Sequence, residues 1–129
     1  MKDQNFAGFI EDGVIFSPAR GARRLPAWHS NPEWTGVSLA DLASGADTKE
    51  AFSSHLVRVQ KGCEVPSHLH ESRWEWNAIL GGHGKILLDG REIPFKPGDT
   101  FTTPPGVRHT VVADEEDIAL LAVFVPSPK

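Results

Sequence analysis

From residue 53 onward, apolar and polar positions alternate in short runs separated by turn residues. In SSHLVRVQ (53–60), His55, Val57 and Val59 fall on one face and Arg58 and Gln60 on the other, with Leu56 out of step. A period of two is the signature of a half-buried strand. WEWNAIL (74–80), KILLD (85–89), REIPF (91–95), TFTTP (100–104), VRHTVVA (107–113) and IALLAVFV (118–125) read as further strands. Between them lie the turns GGHG (81–84), KPGD (96–99), PPG (104–106) and the acidic DEED (114–117). Asp89-Gly90 predicts a tight hairpin, because a type I′ turn needs positive φ at both central residues. About seven strands at spacings of roughly 8–12 residues, with no helix of three turns, predict an all-β sandwich or barrel.

Residues 1–50 carry a weaker pattern. GVIFSPA (13–19) reads as a short strand stopped by Pro18. In WTGVSLADLA (34–43), Val37, Leu39 and Asp41 alternate as in a strand, and a short helix around 38–52 is the competing reading. Phe6, Phe9, Phe16, Trp28 and Trp34 are many aromatics for a turn-rich segment, which suggests that it covers a barrel end or an interface.

The chain has 129 residues, enough for one core. It contains 12 glycines and 10 prolines, in keeping with many turns, and hydrophobic residues make up 40%, too many for a disordered chain. A net charge of −4 and a pI near 5.8 argue against a nucleic-acid or anionic-membrane surface. Arg20, Arg23 and Arg24, flanked by Pro18 and Pro26, read as a solvated loop. No apolar run is long enough to span a membrane, and the first residues, with Asp3, Glu11 and Asp12, lack the apolar core of a secretory signal. The single cysteine, Cys63, has no internal disulfide partner. These features together lead us to expect a cytoplasmic protein.

The six histidines carry the chemistry. His68 and His70 form an H-x-H pair, and in an extended strand such side chains leave one face with Cα atoms ~7 Å apart. Two imidazoles so placed can lean on one metal ion. Taken alone, the pair is equally readable as two surface histidines. The context is more specific. Gly62 to Gly82 reads G-x5-H-x-H-x4-E-x6-G, and Gly98 to His109 reads G-x5-P-x-G-x2-H.

These two motifs resemble those of the cupin family, and the chain resembles a small single-domain cupin over residues 62–109. The second motif ends in Ala113, where germin-like cupins carry asparagine. The resemblance implies a double-stranded β-helix, the cupin jelly-roll barrel, over residues 51–129. The strands and loops of residues 1–50 would pack on the barrel or on a dimer partner. It further implies that His68, His70, Glu75 and His109 bind one divalent transition metal: iron, manganese, nickel, zinc or copper. Such a donor set leaves two positions open on an octahedral ion, for substrate, water or dioxygen. The expected partners are a small molecule and a second copy of the chain, with no nucleic acid and no membrane.

Several neighbours compete for a role. Glu71 lies one residue past His70, and strand parity does not choose between it and Glu75; the motif spacing selects Glu75. A turn or bulge at Glu71–Trp74 must then reset the register. Asn77 shares a face with Glu75 and is placed to hydrogen-bond a ligand or steady a metal ligand, while Trp74 and Trp76 point away. His55 either lines the cavity or is a satisfied histidine at a sheet edge. Cys63 reads as a small buried residue at a strand start, Arg108 as outward-facing and His83 as exposed. With no tyrosine in the chain, the cysteine–tyrosine cross-link of some thiol dioxygenases of this fold cannot form.

The function expected is that of a metal-dependent enzyme on a small polar oxygen-rich molecule, of dioxygenase, isomerase, epimerase or decarboxylase type. No residue is identifiable as a general base. A non-catalytic ligand-binding or sensor cupin and a metal-stabilised scaffold are the alternatives.

Overall fold

A computed structural model of the chain describes residues 14–19, 21 and 25–126. Ten strands follow in order: β1 (Trp28–Ser30), β2 (Val37–Ala43), β3 (Ser53–Val59), β4 (Glu64–His68), β5 (Trp74–Gly81), β6 (Gly84–Leu88), β7 (Arg91–Phe95), β8 (Thr100–Thr103), β9 (His109–Val112) and β10 (Ile118–Val125). A single turn of helix, α1 (Gly45–Thr48), joins β2 to β3 and is closed by a capping box between Ser44 and Asp47. No helix among the described residues is long and apolar enough to cross a membrane.

The strands form two antiparallel sheets, one ordered β1-β2-β3-β10-β5-β8 and the other β4-β9-β6-β7. This is the expected all-β jelly roll. The predicted hairpin joins β6 to β7, where Asp89 (φ 51°) and Gly90 (φ 77°) both take the positive φ that a type I′ turn requires.

The core lies between the sheets. Val57, Ile79, Ile118 and Leu120 from the first sheet meet Val65, Ile86, Phe95 and Val111 from the second. Alternation places the inward residues of the larger sheet in cross-strand rows. One row runs Leu39, Val57, Leu120, Ile79; the next runs His55, Ala122, Asn77, Phe101, with the exposed Asp41 at its β2 end; a third runs Ser53, Phe124, Glu75, Thr103. The barrel is therefore apolar at one end and grades into polar chemistry along the same three strands.

Leu56, out of step in the sequence, is buried on the opposite face of its sheet with Ala40, against Trp28, Leu42 and Leu121. The strand expected at 13–19 reduces to a bridge at Ile15, with Gly13 outside the described residues. The helix considered around 38–52 is confined to α1, because β2 pairs with β3 along its length. Arg20, Arg23, Arg24, Phe6 and Phe9 lie outside the described residues. Phe16 is exposed, whereas Trp34 packs on the core.

Candidate metal centre

His68, His70, Glu75 and His109 come together, each offering one ligand atom and all four atoms lying within 4.8 Å of one another. Three strands and one loop bring them there. His68 ends β4, opposite His109 at the start of β9. Glu75 is the second residue of β5, facing inward. His70 belongs to the loop after β4 and not to the strand, so the H-x-H pair converges through a strand end and a loop. A register shift between Val65 and His68 and the break over residues 69–73 supply the reset that parity demanded. The ring centroids of His68 and His109 are 4.2 Å apart, and those of His68 and His70 are 5.0 Å apart.

The hydrogen bonds assign the ring nitrogens. His68 Nδ1 donates to the Pro66 carbonyl at 2.7 Å, and His109 Nδ1 donates to the Val107 carbonyl at 3.1 Å. A donating Nδ1 leaves Nε2 as the lone-pair nitrogen, the tautomer a metal ligand needs. His109 Nε2 is buried and makes no hydrogen bond; it stands 3.4 Å from Glu75 Oε1. In the metal-free protein a proton on Nε2 faces the Glu75 carboxylate, and a cation bound among these groups would take that proton's place. At His70, Arg73 Nη2 donates to Nδ1 at 3.1 Å, and Nε2 donates to Glu75 Oε1 at 3.1 Å. Nε2 must give up this proton to hold a metal, as ligands at such sites do.

Electrostatics agree. Burial works to raise the Glu75 carboxyl, but the adjacent His109 and His70 rings outweigh it and hold the pKa at about 2. Burial pushes the His68 imidazole down, against the pull of its Pro66 hydrogen bond. For His109, burial is overcome by the Glu75 carboxylate and the pKa is raised. One carboxylate and three imidazoles suit a borderline divalent transition ion. The thiolates of a structural zinc site are missing.

The cluster opens on a cavity of about 100 Å³ walled by apolar side chains, Trp34, Leu39, Val57, Val65 and Leu120 among them. His55 and Asn77 also line it. His55 is fully engaged, with Nδ1 2.7 Å from Asp41 Oδ1 and Nε2 2.9 Å from Ser53 Oγ. It sits on β3, interior to its sheet, so the expected edge position is corrected while the cavity position holds. Asn77 is fully buried, and neither its Oδ1 nor its Nδ2 makes a hydrogen bond of normal geometry. Its amide is near enough to Glu75 to favour the carboxylate. Thr103 Oγ1, in the same row as Glu75, is likewise buried without a partner.

The rival Glu71, together with Arg108, His83, Trp74 and Trp76, is exposed, and Cys63 is half-buried against the core. Two aromatics beside the centre are not among the candidates the sequence offers for it: Trp34, whose ring lies 5.6 Å from that of His68, and Phe124, which stands edge-on between His55 and His70. Sequence reasoning also missed Arg73 as the partner of His70. Phe124 was within reach of parity, since it alternates with Leu120 and Ala122 on β10. Trp34 and Arg73 are in loops, where no period applies.

Comparison with known proteins agrees with this fold. Residues 55–125, more than half of the chain, match the model of the cupin domain. The chain is 30% identical over 95 residues to an oxalate-binding protein of Thermotoga maritima, covering 69% of this chain and 75% of that one. It is 28% identical over 106 residues to an L-ectoine synthase of Teredinibacter turnerae, covering 81% and 74%. A crystal structure described as a predicted oxalate decarboxylase from Thermotoga maritima superposes with a TM-score of 0.69 at 26% identity, over 90% of this chain and 96% of that one. An RmlC-like cupin from Shewanella frigidimarina shares the fold with a TM-score of 0.71 at 20% identity, over 81% and 86%. With both motifs folded into one jelly roll and the domain match spanning most of its strands, this chain belongs to the cupin family.

Proposed function

We propose that this chain is a metal-dependent cupin acting on a small oxygen-rich molecule, with His68, His70, Glu75 and His109 as the ligands of one divalent transition metal. The supporting observation is the convergence of three imidazoles and one carboxylate at the end of an apolar cavity. Iron, manganese, nickel, zinc and copper all suit that donor set. Such an ion, when bound, supplies a Lewis acid and open positions for a substrate oxygen pair. The chain's own residues do the remaining work. His68 and His109 keep their Nε2 lone pairs inward through backbone hydrogen bonds, Glu75 contributes one negative charge, and the apolar walls exclude water. Dioxygenase, isomerase and epimerase chemistry each fit this arrangement.

The test is elemental analysis of the purified protein, followed by assays with diketones, uronates, hydroxy acids and thiols in separately metallated forms. Turnover that requires metal and disappears in His109→Ala supports the proposal. A wild-type protein with no affinity for divalent metals contradicts it. The relative named as an oxalate-binding protein favours one second reading, a non-catalytic binding cupin. Saturable, metal-dependent binding without turnover across the panel would select it.

We further propose a cytoplasmic homodimer built from residues 51–129 as barrel, with residues 1–50 packed on it or on the partner. The exposed Trp74, Trp76 and Val125 on the outer face of β5 and β10 favour self-association. Sedimentation as a monomer at micromolar concentration would refute the dimer.

A further inference from the structure

We infer that Asn77 selects ligands that carry a hydrogen-bond donor next to their metal-binding group, such as small hydroxy acids and amido acids, over ligands that only accept. The inference rests on the metal-binding reading above.

The inference starts from the cross-strand row His55–Ala122–Asn77. Neighbouring strands are ~4.8 Å apart, so the two polar residues stand on opposite sides of a gap floored only by the Ala122 methyl. His55 has both ring nitrogens engaged by Asp41 and Ser53. Asn77 has none of its hydrogen-bonding capacity met in normal geometry, although it is fully buried and lines the cavity. The Glu75 carboxylate beside it favours the amide nitrogen turned toward itself. Oδ1, an acceptor, is then left facing an apolar space. A cavity of about 100 Å³ admits only a small molecule. Asn77 lies two residues beyond Glu75 on the same strand face, ~7 Å along β5. A ligand anchored at the metal therefore presents its next group to Oδ1. A hydroxyl or amide N–H there satisfies the oxygen; a carboxylate oxygen leaves it unpaired and repelled. Sites built to hydrogen-bond a donor reject analogues lacking it far better than apolar pockets reject an extra methylene.

Oxamate and oxalate test this. They are nearly isosteric, and only oxamate carries N–H donors. Because oxalate is intrinsically the stronger chelator, the informative quantity is the ratio of the two dissociation constants, measured by calorimetry on metal-loaded wild type and Asn77→Leu. Loss of one buried hydrogen bond predicts a shift of the ratio toward oxalate by about tenfold or more in the variant. Metal content should be unchanged. Asn77→Ala, read for the same ratio, covers the case in which leucine does not fold. A ratio within about twofold of wild type, with metal bound, overturns this inference alone: Asn77 then only orients Glu75, or water serves Oδ1. Failure of the wild type to bind metal overturns the metal reading and this inference together.

Discussion

Replacing Glu75 by glutamine in the metal-free protein isolates the electrostatics of the centre. The carboxylate is buried, 6% exposed, with His70 Nε2 at 3.1 Å and His109 Nε2 at 3.4 Å. Its pKa drops from an ordinary 4.5 to about 2. At 1.36 kcal/mol per unit, that shift corresponds to about 3 kcal/mol of pH-dependent stability. The folded value is depressed, so this contribution is fully present above pH 4.5 and is lost as pH falls from 4.5 to about 2. His109 is raised above 6.5 by the same contact, so its share is complete below pH 6.5 and is lost as pH climbs through its folded value. The two shares describe one interaction, strongest between pH 4.5 and 6.5. Urea unfolding of chelator-treated wild type and Glu75→Gln at pH 5 and near pH 2 measures it, because other carboxylates cancel in the difference. Wild type should lose about 3 kcal/mol more than the variant over that range. Parallel losses would show that Glu75 does not sit ionised among the imidazoles.

The fold was legible wherever one face of a strand is buried and the other is not. β10 and β7 match IALLAVFV and REIPF residue for residue, because turn residues bound both runs: β10 is a continuous apolar run, and β7 is the return strand of the Asp89-Gly90 hairpin. β4 shows in the sequence only through the strand start at Cys63 and the extended His68–His70 pair, because Pro66 breaks its pattern and only Val65 and His68 face inward. β1 is a three-residue edge strand, too short to show a period. The four groups of the candidate centre were found through motif spacing, which encodes their positions along the chain. What spacing does not encode is the path between them. His70 reaches the cluster from a loop, and its orientation by Arg73 depends on how residues 69–73 turn. Trp34 was assigned to a barrel end or interface, and its place beside His68 follows from a hydrogen-bonded turn, Val37 N to Trp34 O at 3.2 Å, that no periodicity announces.

Further outcomes follow from the same geometry. His109→Ala should lower metal affinity by more than about 100-fold in competition titrations, since losing even an outer partner of a ligand costs 10–100-fold; stoichiometric metal in the variant would remove His109 from the ligand set. Chelating the wild type should lower its Tm by about 15 °C, as expected when metal at roughly a thousand times its Kd contributes about 4 kcal/mol. The Tm of His109→Ala should respond to chelator no more than about a third as much, since a 100-fold loss leaves the metal at roughly ten times its Kd. Gly82→Ala should destabilise by at least about 2 kcal/mol in urea unfolding, because φ is +83° and a Cβ there would run into the Asp117 carbonyl and Ile118. Phe124→Ala should cost about 3 kcal/mol and weaken metal binding by freeing the His70 ring that Phe124 braces at 5.0 Å; unchanged stability would show that the ring is not packed.

X-ray absorption at the edge of the bound metal counts the ligands directly. The account predicts one ion per chain with three imidazole scattering paths, a carboxylate oxygen and light exchangeable ligands at the remaining positions. An ion surrounded by fewer than two imidazoles, or by thiolate, would contradict it.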